Sequence, residues 1–189
     1  MALLDIRLYG DPVLKERSAP VTAFDRRLAR FADDLLETLR AANGVGLAAP
    51  QVGVLQRVFA YDLGVDEDTG EHPFGVVVNP QIVHAEGEQT GDEGCLSLPG
   101  LFFELARAQA VRVAGRDPAG ADLELTGEGM LARVFQHEID HLDGVLFIDL
   151  LPRGERKQAL REWREREFDL EFGGAAPHLH RSGGQRAAL

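Results

Sequence analysis

The chain has one cysteine, one tryptophan, two tyrosines and two methionines in 189 residues, and aromatics make up only 7% of it. A single cysteine excludes an internal disulfide framework. Basic charge is also short: 20 Lys and Arg stand against 31 Asp and Glu, a formal net charge of −11. That balance argues against broad affinity for nucleic acid, and no DNA partner is expected. No apolar run is long enough to span a membrane. The start, Met1-Ala2-Leu3-Leu4-Asp5-Ile6-Arg7, lacks the basic n-region and apolar stretch of a signal peptide. A reducing cytoplasm is the expected compartment. A composition of 44% hydrophobic and 27% charged residues then suits one soluble globular domain with a sizeable core.

Against these absences stands one dense segment, Gln136-His137-Glu138-Ile139-Asp140-His141. Residues four apart on a helix share a face. Two neutral imidazoles so placed can hold one divalent metal, and Glu138 can serve as general base toward water that the metal activates. The pattern points to a hydrolase.

The third ligand is open on spacing alone. Continuation to a third histidine fails, because Phe147 occupies that position. Glu155, Glu162 and Glu165 lie downstream in a run of mixed charge, which reads as a solvated helix face. A third glutamate ligand would fit a small zinc endopeptidase. The other candidate is Cys95, in Glu93-Gly94-Cys95-Leu96-Ser97-Leu98-Pro99-Gly100. A lone cysteine is often a small buried apolar residue, but a thiolate beside two imidazoles suits a borderline metal and leaves one tetrahedral position open for catalysis. Further upstream, Gly44-Val45-Gly46-Leu47-Ala48-Ala49-Pro50-Gln51 reads as a helix end and turn whose glycines permit close backbone approach. It lacks the spacing of a dinucleotide or phosphate loop.

Taken together and in order, G-V-G-L-A-A-P-Q, E-G-C-L-S and Q-H-E-I-D-H-L-D-G resemble the three signature motifs of the peptide deformylases, of the compact bacterial type. The likeness extends over roughly residues 5–152. It implies a metal-dependent enzyme that takes the formyl group from the N-terminal formylmethionine of nascent polypeptides and releases formate. It implies Cys95, His137 and His141 as metal ligands, Glu138 as the base, and Gln51 and the Leu96 backbone N–H as donors to the oxyanion. Val45, Gly46, Glu93, Gly94 and Val134 are expected along the substrate path. The metal implied is Fe2+, with Zn2+ or Ni2+ able to replace it. A contact between the C-terminal region and the ribosome is a further implication: residues 153–189 carry 8 Lys and Arg against 6 Asp and Glu, unlike the acidic remainder. Where many bacterial members have a basic residue after the cysteine motif, this chain has Leu101-Phe102-Phe103. Arg107 is the nearest basic side chain, so no arginine contact to substrate is assigned.

Apolar spacing at Leu28, Phe31, Leu35 and Leu39 predicts an amphipathic helix over 25–42. Strands are expected over 57–62, 75–79, 81–88, 110–114 and 122–125, with Asn79-Pro80 ending one of them. The metal-binding helix is expected over 129–142 and a charged helix over 155–172, docked by Leu160 and Trp163. The expected architecture is α+β: mixed or antiparallel sheets packed around a central HExxH helix, with an N-terminal and a C-terminal helix. One catalytic domain is expected over 1–172, and 173–189 is expected to be a disordered tail.

Overall fold

A computed structural model describes residues 2–172 of the chain, so the expectation for 173–189 lies outside the described residues. After a short 3-10 turn at Pro12–Lys15, capped by Asp11, comes helix α1 (Arg26–Ala41). Asp25 starts α1 by accepting from the N–H groups of Arg27 and Leu28, which satisfies two of the donors every helix start leaves open. The strands follow: β1 (Gly46–Ala48), β2 (Val58–Asp62), β3 (Phe74–Glu86), β4 (Gln89–Cys95), β5 (Leu98–Arg107), β6 (Ala110–Arg116) and β7 (Asp122–Glu128). Helices α2 (Gly129–Leu142), α3 (Phe147–Leu150) and α4 (Arg153–Phe172) complete the described chain.

Five strands form one antiparallel sheet in the order β1-β2-β3-β6-β7, and β4-β5 form a separate hairpin. Both faces of the large sheet are covered at β2, which explains why its sequence reads as an unbroken apolar run rather than an alternating one. Phe59 and Tyr61 point into a cluster with Val134, Phe135 and Ile139 of α2. Val58 and Ala60 point the other way, into a cluster with Leu28, Leu35 and Leu39 of α1. Tyr61 meets Phe135 edge to face, with ring centroids 5.1 Å apart. A third cluster joins the hairpin to the C-terminal helices: Cys95, Leu98, Leu101 and Leu105 pack with Leu146, Phe147, Ala159 and Trp163. Full burial of side chains of this size stabilises by about 1.5–3 kcal/mol each, so α4 is docked, as expected from Leu160 and Trp163.

The architecture is α+β with antiparallel sheets. It departs from expectation at Asn79-Pro80. The two strands expected over 75–79 and 81–88 are one strand, β3, whose pairing with β6 shifts register between Val78 and Gln81. Proline has no N–H to give the ladder, and a bulge absorbs it. Asn79 adopts the left-handed conformation at φ 53°, which Asn tolerates better than most residues. Its side chain clamps Val21, accepting from the amide N–H at 2.8 Å and donating to the carbonyl at 2.9 Å. Asn79→Ala removes both bonds and keeps the strained backbone. It should lower stability by about 1–3 kcal/mol, measured as a shift of the urea midpoint at unchanged slope; an unshifted midpoint would mean the bulge holds without its clamp.

Candidate metal centre

The β4-β5 hairpin turns through Leu96 and Ser97, which places Cys95 as the last residue of β4, at the tip. His137 and His141 project from one face of α2. The hairpin tip meets this face: Cys95 Sγ lies 3.2 Å from His141 Nε2, and the two Nε2 atoms are 3.1 Å apart. All three residues are no more than 1% exposed. Among the described residues they are the one group able to hold a metal ion. No glutamate joins it; Glu155 and Glu165 are exposed on α4.

The donor chemistry fits a divalent metal. Burial holds His141 well below the usual imidazole range, helped by the neighbouring His137, so its ring is neutral and offers a lone pair. His141 Nδ1 has no hydrogen-bond partner among the described residues. Burial also pushes the Cys95 thiol up to about 12, with the Glu138 carboxylate adding to the rise against the Ser97 backbone N–H. Without a cation the thiol keeps its proton. With one, the proton must leave.

Glu138 lies beside this group, fully buried, and neither of its oxygens has a partner among the described residues. Burial raises its pKa well above the usual carboxylate range, with repulsion from Glu93 and Asp140 adding to it. Its carboxylate sits against the backbone of Gly46, where any Cβ would collide with it. Gly46 is therefore required by close approach. At Gly94 a Cβ would come within 2.5 Å of the Phe102 ring.

Gln51 closes another side. Its Oε1 accepts from the Ala48 N–H at 2.8 Å, and this fixes its Nε2 toward Ser97 Oγ at 3.2 Å and Cys95 Sγ at 3.5 Å. Val45 is partly buried against the cluster that contains Val134, and Val134 itself is completely buried there.

Glu93 corrects the expectation of a substrate contact. It has no exposure, and both its oxygens face the protein. Oε1 accepts from Arg107 Nη2 at 2.6 Å and lies 2.7 Å from His137 Nδ1; Oε2 accepts from Arg107 Nε at 3.0 Å and Arg133 Nη1 at 2.9 Å. Burial alone would raise its pKa, but the hydrogen bond and charge of His137 and Arg107 prevail and hold it well below the usual carboxylate range. Glu93 thus supports His137 from behind. Arg107 also reaches Asp140 Oδ2 at 2.6 Å. The sequence reading missed Arg133. Its signal was a charge in the apolar run of α2, one turn before His137.

A thiol, two imidazoles and an unpaired buried carboxyl around one point define a metal-dependent hydrolase, since three protein ligands leave a fourth position for reaction. The profile of the polypeptide deformylases matches residues 3–157, and this chain belongs to that family. A peptide deformylase of Acidothermus cellulolyticus is 50% identical over 168 residues, covering 89% of each chain. Solved peptide deformylases have the same fold. That of Legionella pneumophila is 39% identical at a TM-score of 0.83, covering 93% of this chain and 100% of its own. That of Thermus thermophilus is 46% identical at 0.79, covering 90% and 99%.

Zinc added to the metal-free chain should release at least one proton near neutral pH, from Cys95. The affinity should then rise about tenfold per pH unit while the thiol remains protonated in the metal-free chain. Calorimetry in buffers of different ionisation enthalpy reads this directly; uptake without proton release would remove Cys95 from the ligand set.

Proposed function

We propose that this chain removes the formyl group from the N-terminal formylmethionine of newly made polypeptides, releasing formate and a free amino terminus. What carries the reading is the buried Cys95, His137 and His141 group with unpaired Glu138 beside it, in a chain of the deformylase family. The same proposal takes residues 1–172 as one catalytic domain with helix Gly129–Leu142 at its centre. It also takes Fe2+ as the resident metal, replaceable by Zn2+ or Ni2+, and the cytoplasm as the compartment.

Cys95 Sγ and the two Nε2 atoms would hold a divalent metal, which would supply Lewis acidity and make water acidic enough to attack at neutral pH. Glu138 takes the proton of the attacking water and returns it to the departing amine. Burial raises its affinity for that proton. Gln51 Nε2 and the Leu96 N–H donate to the oxygen as it gains charge. The Ala48 bond to Gln51 Oε1 prevents the amide from turning its carbonyl toward that oxygen. Substrate lies as an added strand along β1, which among the described residues pairs only with β2. Gly46 and Gly94 keep this path free of side chains, and Val45 shapes the site for methionine, with the completely buried Val134 behind it.

Glu138→Gln should retain metal and lose turnover of formyl-Met-Ala-Ser, read as formate release. Cys95→Ser should bind metal more weakly. Gly46→Ala should displace the Glu138 carboxylate, and formate release should fall by 100-fold or more, on the order of the loss of one key catalytic group. Full activity in Glu138→Gln would overturn the base assignment, and cleavage of internal peptide bonds without formate would move the chain to the peptidases.

A ribosome contact through the C-terminal region belongs to the same proposal. Arg161 and Arg164 are exposed on α4 while Ala159 and Trp163 are buried. Reversing both charges should reduce co-sedimentation with ribosomes without changing formate release in solution; unchanged pelleting rejects the contact.

A further inference from the structure

We propose that Arg133 is a positioning residue of the metal centre, acting through Glu93 to fix the tautomer and direction of His137. Arg133 stands on α2 one helical turn before His137 and is 2% exposed. Its Nη1 donates to Glu93 Oε2 at 2.9 Å and to the Leu105 carbonyl at 3.1 Å. The other oxygen of Glu93 lies 2.7 Å from His137 Nδ1. A single carboxylate thus links this guanidinium to the imidazole.

Packing alone does not account for an arginine here. A buried guanidinium loses its hydration, and an apolar side chain of similar volume fills such a site at less cost. Arg133 Nη2 remains buried without a partner among the described residues. The arrangement accepts that cost and keeps Nη1 on Glu93.

Arg107 also grips Glu93, through Nε and Nη2. Arg107, however, is shared with Asp140. A carboxylate held from one side can still swing about its own stem. Arg133 holds Oε2 from a second direction and is itself tied to β5 through Leu105. Glu93 is then fixed relative to α2, and it holds a proton on His137 Nδ1. Nε2 is left bare, facing His141 Nε2 at 3.1 Å. Partners of this kind set both ligand direction and basicity.

This inference rests on Cys95, His137 and His141 as the ligands. The test is the zinc dissociation constant of the full chain, measured by competition with a chelator, for wild type, Arg133→Met, Glu93→Gln and the double variant. Arg133→Met should weaken zinc binding by about 10- to 100-fold. In the Glu93→Gln background the same substitution should add little, because its effect passes through the missing carboxylate. Nitrogen NMR of the metal-free variant should show His137 no longer confined to the Nδ1–H tautomer, a change that loss of packing alone does not produce. Zinc binding within about twofold of wild type, or an equal loss with and without the Glu93 carboxylate, overturns the assignment. If Arg133→Met does not fold, Arg133→Gln is judged by the same criteria. A wild-type chain that binds no zinc overturns the ligand set and this inference together.

Discussion

Glu93 is a carboxylate with no access to water, and such a charge is tolerated only when donors and cations surround it. Its partners come from β5, as Arg107, and from α2, as Arg133 and His137. The hairpin and α2, which lie in separate core clusters, are therefore held in one arrangement. The hairpin belongs to one core cluster and α2 to another, and the ionic mesh fixes the position of Cys95 relative to the histidines across that boundary. Removing one partner from such a group costs about 3–5 kcal/mol, because the remaining charge stays buried.

The second constraint is the closeness of Glu138 to Gly46. The Glu138 carboxyl is kept dry and lies beside Cys95, His137 and His141. Both follow when the backbone of β1 passes directly over it, and only glycine lets the chain come that near. The same strand ends the sheet, pairing among the described residues only with β2. One short segment thus both encloses the Glu138 carboxyl and forms an edge of the sheet.

How far the sequence discloses this structure depends on whether the cause is local. Helix α2 is read correctly at both ends, because its apolar period and its histidine spacing agree. Cys95, His137, His141 and Gln51 stand out because their motifs are short and unusual. Other features depend on distant partners. β4 is polar and rich in glycine, so it shows no strand alternation; its pairing with β5 and the mesh around Glu93 hold it in place. β1 has three residues, too few for any period. Asn79-Pro80 signals a break, and only the clamp on Val21 turns it into a bulge. Arg133 meets Glu93 across 40 positions of sequence, and Glu93 itself looks like a surface residue until the fold turns it inward.

Trp163 is the only tryptophan in the chain. It is 2% exposed, and its ring meets Tyr9 edge to face at 6.1 Å. The intrinsic indole fluorescence of the whole protein therefore comes from one point, on the seam where α4 rests against the hairpin and the N-terminal segment. Its emission colour reports whether that helix is seated, with no contribution from elsewhere in the molecule. Since the hairpin on the other side of the seam carries Cys95, one optical signal follows the mechanical support of the metal centre without a label.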